Sequence, residues 1–387
     1  MNLILLALVM ACSNLGLTVL QWNANGIRSR TAEFRNYLSG NRNRPDVICL
    51  QETNLKSGQE WRLLGYNVVR CDSNSAKGGV AVYINSEISY TVLKTVDSIC
   101  NVGISIRSNG TDLNIINIYN PPGSTIDKNA YISLFSLPNV LIFGDFNAWS
   151  PLWGSRVGNK AGSVFEEIFD YCDLAVLNTG ETTYTHYNGN ESAIDLSLAS
   201  KNLALRCNWG VIANPLGSDH RPIRVTIDKT IDREELSRER FNTRKADWGK
   251  FELHCADKLT INCLDSNLST FYDNITTAII SSATASIPIS KASHRVKSVP
   301  YWNKECSSVV KARNRAHKVL KRCNSHSNNI KFKQSKAKAK YTIKLAQMQY
   351  WRNYCEDLNR DTKLSSVWRM AKRMTQFSSF LTVGEYR

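Results

Sequence analysis

The chain has 387 residues, of which 42% are hydrophobic and 21% charged; this excludes a wholly disordered or collagen-like polymer and fits two or three domains. Its formal net charge of +16 is unevenly spread: residues 1–228 carry 18 Lys and Arg against 19 Asp and Glu, a net of −1, and residues 229–387 carry 31 against 14, a net of +17. A near-neutral module followed by a strongly basic one points to a polyanion partner for the second.

Residues 3–11 form an apolar run that no Lys or Arg precedes. It is read as an extension ahead of the first strand, with a secretory leader as the minor alternative. It is too short to span a bilayer. Short β runs follow at residues 17–22, 46–50, 79–84, 113–119, 140–143, 193–199 and 221–227, rich in Val, Ile and Leu and bounded by Gly, Asn, Asp or Pro. Residues 31–38 are a weak helix candidate. Val164, Phe165, Ile168, Phe169 and Cys172 lie on one face of a stronger one. Many strands with few helices predict a two-sheet, four-layer α/β sandwich with the helices outside, over residues 17–228.

The character changes after Asp228. Residues 307–322 place Val309, Val310, Ala316, Val319 and Leu320 among Lys311, Arg313, Arg315, Lys318 and Lys321, and residues 331–352 are similar. Residues 229–387 are therefore predicted to form a basic, mainly helical extension, with the break at 229–247. Eleven cysteines, an odd number with no Cys-x-x-Cys, read as buried thiols of a reducing compartment.

Polar residues punctuate the ends of the apolar runs: Asn23 and Asn25 follow the first, Glu52 the second, Tyr119-Asn120 end another, Gly144-Asp145-Phe146-Asn147 follow residues 140–143, Asp195 lies within 193–199, and Ser218-Asp219-His220 precede the last. Residues of this type at strand ends can converge at one edge of a packed sandwich. Any single one of them also suits a turn or a surface charge. His186, in the loop before Asp195, reads as a surface residue.

Six blocks carry a resemblance: Gln21-Trp22-Asn23-Ala24-Asn25-Gly26, Leu50-Gln51-Glu52-Thr53, Ile118-Tyr119-Asn120-Pro121-Pro122, Gly144-Asp145-Phe146-Asn147, Ile194-Asp195-Leu196 and Ser218-Asp219-His220-Arg221-Pro222-Ile223. Their order and approximate spacing resemble the endonuclease/exonuclease/phosphatase superfamily. Within it they look like the apurinic-type endonuclease of non-LTR, jockey-like retrotransposons. The extension, with Pro300-Tyr301-Trp302-Asn303-Lys304-Glu305-Cys306, resembles the linker leading into such elements' reverse transcriptase. No Asp-Asp pair occurs in the chain, so the polymerase metal site is absent from it.

The resemblance implies a Mg²⁺-dependent DNA endonuclease, with Mn²⁺ as a substitute, that leaves a 3′-hydroxyl. Glu52 and Asn25 would hold the metal and Asn23 would order its shell or the phosphate. Asp145 would orient or deprotonate the attacking water, and Asn147 would position the phosphate. His220 would contact the phosphate or act as base, oriented by Asp219. Tyr119 would stabilise developing charge, and Asp195 would support the histidine or the water network. The general base stays open between Asp145 and His220. Several cellular repair members carry Asp where this chain has Asn25; an amide brings no charge to a metal, and the retrotransposon branch often shows Asn there. The alternatives are a phosphatase or phosphodiesterase of the same superfamily, or an inert nucleic-acid-binding remnant. DNA is the expected partner, in the nucleus and without a membrane. Element RNA is a further ligand for the extension, where Trp248, Trp302, Trp351 and Trp368 accompany the cations.

Overall fold

The computed structural model describes residues 16–40, 44–73, 75, 77–108, 110–228, 231, 239–243, 245–259, 268–291, 299–360 and 362–375. The apolar run at residues 3–11 lies outside them. The chain divides into a first unit, residues 1–233 with 296–387, and a second, residues 234–295.

Two six-stranded sheets build the first unit. One consists of β1 (Leu17–Asn23), β2 (Val47–Gln51), β3 (Tyr66–Cys71), β4 (Val80–Asn85), β13 (Cys207–Val211) and β14 (Ile223–Ile227), in the order β13-β14-β1-β2-β4-β3. The other consists of β5 (Tyr90–Val92), β6 (Cys100–Ser108), β7 (Thr111–Tyr119), β8 (Val140–Asp145), β9 (Leu174–Val176) and β12 (Asp195–Ser200), in the order β5-β6-β7-β8-β12-β9. Each sheet is antiparallel except for one central parallel pair, β1 with β2 and β7 with β8. A small hairpin, β10 (Tyr184–Thr185) with β11 (Glu191–Ser192), stands apart from both.

Continuous apolar runs are explained by strands buried on both faces. Val19, Val47, Cys49, Val80 and Val82 point inward to meet Ile104, Ile115, Leu141 and Phe143 of the facing sheet. Their neighbours Leu20, Ile48, Leu50, Ala81 and Tyr83 point outward, under Ile27, Phe34 and Leu38 of α1 (Ile27–Gly40). On the far side, Ile116, Ile118, Val140 and Ile142 lie under α2 (Lys128–Phe135) and α3 (Lys160–Tyr171), where Phe135, Phe146, Phe165 and Phe169 form an aromatic cluster. The layers are helix, sheet, sheet, helix. Asp127 and Asn159 cap α2 and α3, accepting from Ala130 N and Gly162 N.

At the end that carries the polar residues, the space between the sheets is hydrogen-bonded. Gln21 donates to Gly144 O at 2.9 Å and accepts from Ser197 Oγ at 2.8 Å. Asn117 accepts from Gln51 at 2.6 Å and donates to Leu50 O and Ala81 O at 2.9 and 3.0 Å. All four side chains are buried. Each bond ties one sheet to the other, so the register between the sheets is fixed one rung below the candidate site. Gly144 must lack a side chain: a Cβ there would stand 2.4 Å from Ile118 Cγ1.

Strands β3, β5, β6, β9 and β13 were not among the predicted runs. In β6 Gly103 and Arg107 interrupt the apolar pattern. Partners on β7 supply its burial instead, through a tight turn at Gly110 with φ +74°. The first unit continues with α6 (Lys304–Arg322) and α7 (His326–Glu356), a helical hairpin capped by Asn303 and Ser325. Two further helices, α4 (Trp248–Lys258) and α5 (Leu268–Ser286), and one antiparallel strand pair, β15 (Glu239–Phe241) with β16 (Ile289–Lys291), make up the described part of the second unit. The last helix, α8 (Leu364–Thr375), closes the described chain. No disulfide joins the described cysteines; Cys49 and Cys306 are buried, whereas Cys323 and Cys355 are exposed.

Candidate active site

Strand register gathers the first three groups. Tyr119 pairs with Asp145 across β7 and β8, and Asp145 with Asp195 across β8 and β12, so the three share one rung of the second sheet. Asn23 ends β1 on the facing sheet, and Glu52 follows the last residue of β2. The Asn23 amide spans the gap: its Nδ2 donates to Asp145 Oδ2 at 2.8 Å and to Glu52 Oε1 at 3.1 Å. Beyond the effect of burial, the Tyr119 phenol lies close enough to Glu52 for the carboxylate to raise its pKa. Two carboxylates from opposite sheets thus share one amide donor.

Three of the site residues sit in left-handed backbone immediately beyond a strand: Asn25 at φ +44°, Glu52 at +45° and Asn147 at +46°. Asn tolerates this region; Glu does so at a cost of about 1 kcal/mol. Strain of this kind concentrates at functional sites. The turns fold the side chains back onto the strand ends. Asn25 N donates to Asn23 Oδ1 at 2.9 Å, and Asn147 N to Asp145 Oδ1 at 3.0 Å.

His220 enters from the loop before β14. Its Nδ1 lies 2.9 and 3.0 Å from the two oxygens of Asp195. The partner that orients His220 is therefore Asp195 and not Asp219, correcting the expectation from sequence. Adjacent residues in extended chain point to opposite sides, and Asp219 turns away to accept from Asn25 Nδ2 at 3.0 and 3.2 Å. Ser218 Oγ pins the turn through Asn23 O at 2.9 Å. Trp22, stacked on Phe34, holds the His220 carbonyl through Nε1 at 3.2 Å.

Burial and neighbouring charge set the protonation. Burial would lower the His220 pKa, but Asp195, Asp145 and Asp219 more than offset it, raising the imidazole to about 10. Burial, with Asp195 beside it, pushes the Asp145 carboxyl above the ordinary carboxylate range against the pull of His220, Asn147 N–H and Asn23. Burial and the carboxylates of Glu52 and Asp145 raise the Tyr119 phenol, which stays a neutral donor. Asp145, Asp195 and His220 offer ligand atoms that all lie within 4.8 Å of one another. The His220 nitrogen that faces Asp195 is already engaged, so this trio is suited to sharing protons. Glu52 and Asn25 are only half-buried and can be reached from solvent. All nine residues picked out from sequence lie in one connected network: Asn23, Asn25, Glu52, Tyr119, Asp145, Asn147, Asp195, Asp219 and His220.

The family model of the endonuclease/exonuclease/phosphatase family matches residues 20–220, just over half of the chain. The chain belongs to the endonuclease/exonuclease/phosphatase family. Among curated proteins it is similar to the RNA-directed DNA polymerase from mobile element jockey of Drosophila melanogaster, 28% identical over 62% of this chain and 27% of that one. It is also similar to the jockey counterpart of Drosophila funebris, 23% identical over 91% of this chain and 39% of that one. The chain thus spans well under half the length of these relatives. Among solved structures it is similar to the endonuclease domain of TRAS1, a telomere-specific non-LTR retrotransposon, at 18% identity over 55% of this chain and 98% of that domain, with a TM-score of 0.45.

The stretch matching the endonuclease/exonuclease/phosphatase family also contains residues that the strand-end pattern did not flag. Tyr184 of β10 sets its ring 4.6 Å from that of His220, and the two residues bridge in antiparallel fashion. Thr183, fully buried, accepts from Asp195 N at 3.2 Å. The only signal for either was the aromatic and β-branched run beside His186. His186 itself hydrogen-bonds Asn188 at the tip of the β10–β11 hairpin, with its ring 4.1 Å from Tyr187. The helical hairpin lies beyond the end of the family match.

Proposed function

We propose that this protein is a Mg²⁺-dependent DNA endonuclease that hydrolyses a phosphodiester bond and leaves a 3′-hydroxyl, as in target-site nicking by a retrotransposon. The observation that carries this reading is the Asn23 amide joining Glu52 of one sheet to Asp145 of the other, beside a His220–Asp195 pair. The Glu52 carboxylate accepts from the neutral Asn23 amide, and no cation pairs with it among the described residues. An all-oxygen, half-buried position with an uncompensated charge suits a hard divalent cation. Glu52 and the Oδ1 of Asn25 would hold Mg²⁺, which when bound would neutralise the phosphate and acidify a water.

The chain's own groups divide the rest. Asp145 takes a proton from the attacking water. His220, charged and fixed by Asp195, presents its Nε2 to a phosphate oxygen. Asn147 spends one amide N–H on Asn120 O at 3.0 Å and keeps the other for the phosphate. Tyr119 donates toward developing charge. Residues 17–228 supply this chemistry, and 229–387 supply cations for the backbone of DNA or element RNA; a nuclear location follows from the substrate. No helix among the described residues is long and apolar enough to cross a membrane.

Supercoiled plasmid tests the proposal. Purified chain should convert it to open circles with Mg²⁺ and not with EDTA, and Glu52→Gln should lose about a hundredfold or more of the rate with its melting unchanged. Nicking by Glu52→Gln at close to the wild-type rate would overturn the assignment.

A further inference from the structure

The β10–β11 hairpin is too small to hold its own shape. Each strand has two residues, neither joins a six-stranded sheet among the described residues, and an isolated hairpin is marginal in water. Yet β10 is the main-chain partner of the loop that carries His220. Thr185 N–H donates to Asp219 O at 2.9 Å and Arg221 N–H to Thr183 O at 2.7 Å, so His220 lies between two backbone hydrogen bonds to β10, with the Tyr184 ring against its own. A shift of β10 therefore moves His220.

Support for β10 comes from beyond the residues that match the family. Arg313 of α6 anchors the helical hairpin to α1 by a two-pronged ion pair with Glu33 at 2.7 and 2.9 Å, its side chain only 3% exposed. Four residues on, His317 sets its Nε2 3.1 Å from Thr185 Oγ1. Four further on, Lys321 Nζ lies 3.2 Å from Glu191 of β11. A spacing of four places all three on one face of the helix. At the end of α6, Asn324 donates to Asn190 at 3.3 Å, and a Cβ on Gly189 at the hairpin tip would stand 2.5 Å from Asn324 Oδ1. Of these contacts, the one nearest His220 is also the most enclosed. His317 and Thr185 are both buried, and the imidazole stacks on Phe332 of α7, with ring centroids 4.9 Å apart. Two hydrogen bonds, His317 to Thr185 and Thr185 to the Asp219 carbonyl, lead from the helical hairpin to the residue next to His220.

We propose that His317 is a positioning residue for the nuclease: through Thr185 it fixes β10 against the loop that carries His220, so that the helical hairpin completes the active site of the sandwich before it. This rests on His220 acting on the phosphate. The test uses the full chain at pH 8, where an ordinary histidine is neutral, and two readouts. One is plasmid nicking kinetics with Mg²⁺. The other is the ring signals of His220 in ¹⁵N-histidine spectra recorded in EDTA, assigned by their loss in His220→Gln. His317→Phe keeps a ring against Phe332, and Thr185→Val keeps the shape and the N–H of Thr185; neither changes the charge. Each should lower kcat about tenfold with KM unchanged, and each should shift the His220 signals. Thr185→Ser, which keeps the hydroxyl, should retain the wild-type kcat. Combining His317→Phe with Thr185→Val should cost little more than either alone, since both remove one contact. Where His317→Phe fails to fold, Thr185→Val against Thr185→Ser makes the comparison from the sandwich side.

A wild-type kcat in both single variants, an equal loss in Thr185→Ser, a change confined to KM, or a double variant whose loss is the product of the two would overturn the positioning role. His220 signals that shift in the variants of a chain whose wild type does not nick would leave the positioning role standing and overturn the catalytic reading. Wild-type nicking with His220 signals unmoved in both variants would do the reverse.

Discussion

At residue scale, Glu52 carries the clearest signature of a position shaped by function. A left-handed glutamate costs about 1 kcal/mol that an asparagine would not. Glu52→Asn should therefore melt no lower than wild type while losing its nicking activity; thermal unfolding followed by circular dichroism checks this, and a clear fall in Tm would contradict it. The His220–Asp195 contact makes a second prediction. His220→Ala and Asp195→Asn act on one unit, so the rate loss of the double variant should fall well short of the product of the single losses. A product-sized loss would show that the two act separately. The positions of the nine site residues were legible in the sequence because each lies at or near one end of an apolar run. Their partners were not. His220 meets a carboxylate 25 residues away because β12 pairs with β8 in one register, and residue types alone do not carry that register. Tyr184 stayed hidden because a two-residue strand gives no periodicity.

At element scale, most of the sandwich strands that were legible are buried on both faces and rich in apolar residues, whereas β14 was legible by its alternation. Strand β6 was missed because Gly103 and Arg107 break its pattern; its nine-residue pairing with β7 decides its structure. The α6–α7 hairpin was legible as two basic helices, but not as an element docked on the sandwich. Its His317 gives that docking a pH dependence. Burial lowers the imidazole from its ordinary value to about 4; Glu191 opposes this, and Arg221, Lys321 and Arg313 reinforce it. The docked state thus holds His317 neutral. Its stabilisation is complete above the free value near 6.5 and is lost as pH falls toward 4, by up to about 3 kcal/mol. Limited proteolysis should cut the hairpin faster at pH 5 than at pH 7.5, and His317→Phe should remove most of the difference. Equal cleavage at both values would contradict this account of the docking.

At the scale of the whole molecule, charge and chemistry are divided along the chain. The near-neutral part folds into a sandwich that sets carboxylates, amides and one charged histidine at the end where both sheets finish. Part of the basic stretch returns to the sandwich as a helical hairpin, held there by Arg313, Asn314, His317 and Lys321. Composition showed the charge split but not the return, because ion pairs such as Arg313 with Glu33 link residues 280 apart. The most direct test of the central claim is the chemistry of the nick. Plasmid nicked by the full chain in Mg²⁺ should be extended by a DNA polymerase without any end repair, since hydrolysis on the proposed side leaves a 3′-hydroxyl. The same plasmid treated with the Glu52→Gln variant should give no extension. Nicks that need phosphatase treatment before extension, or extension that persists with Glu52→Gln, would contradict the account.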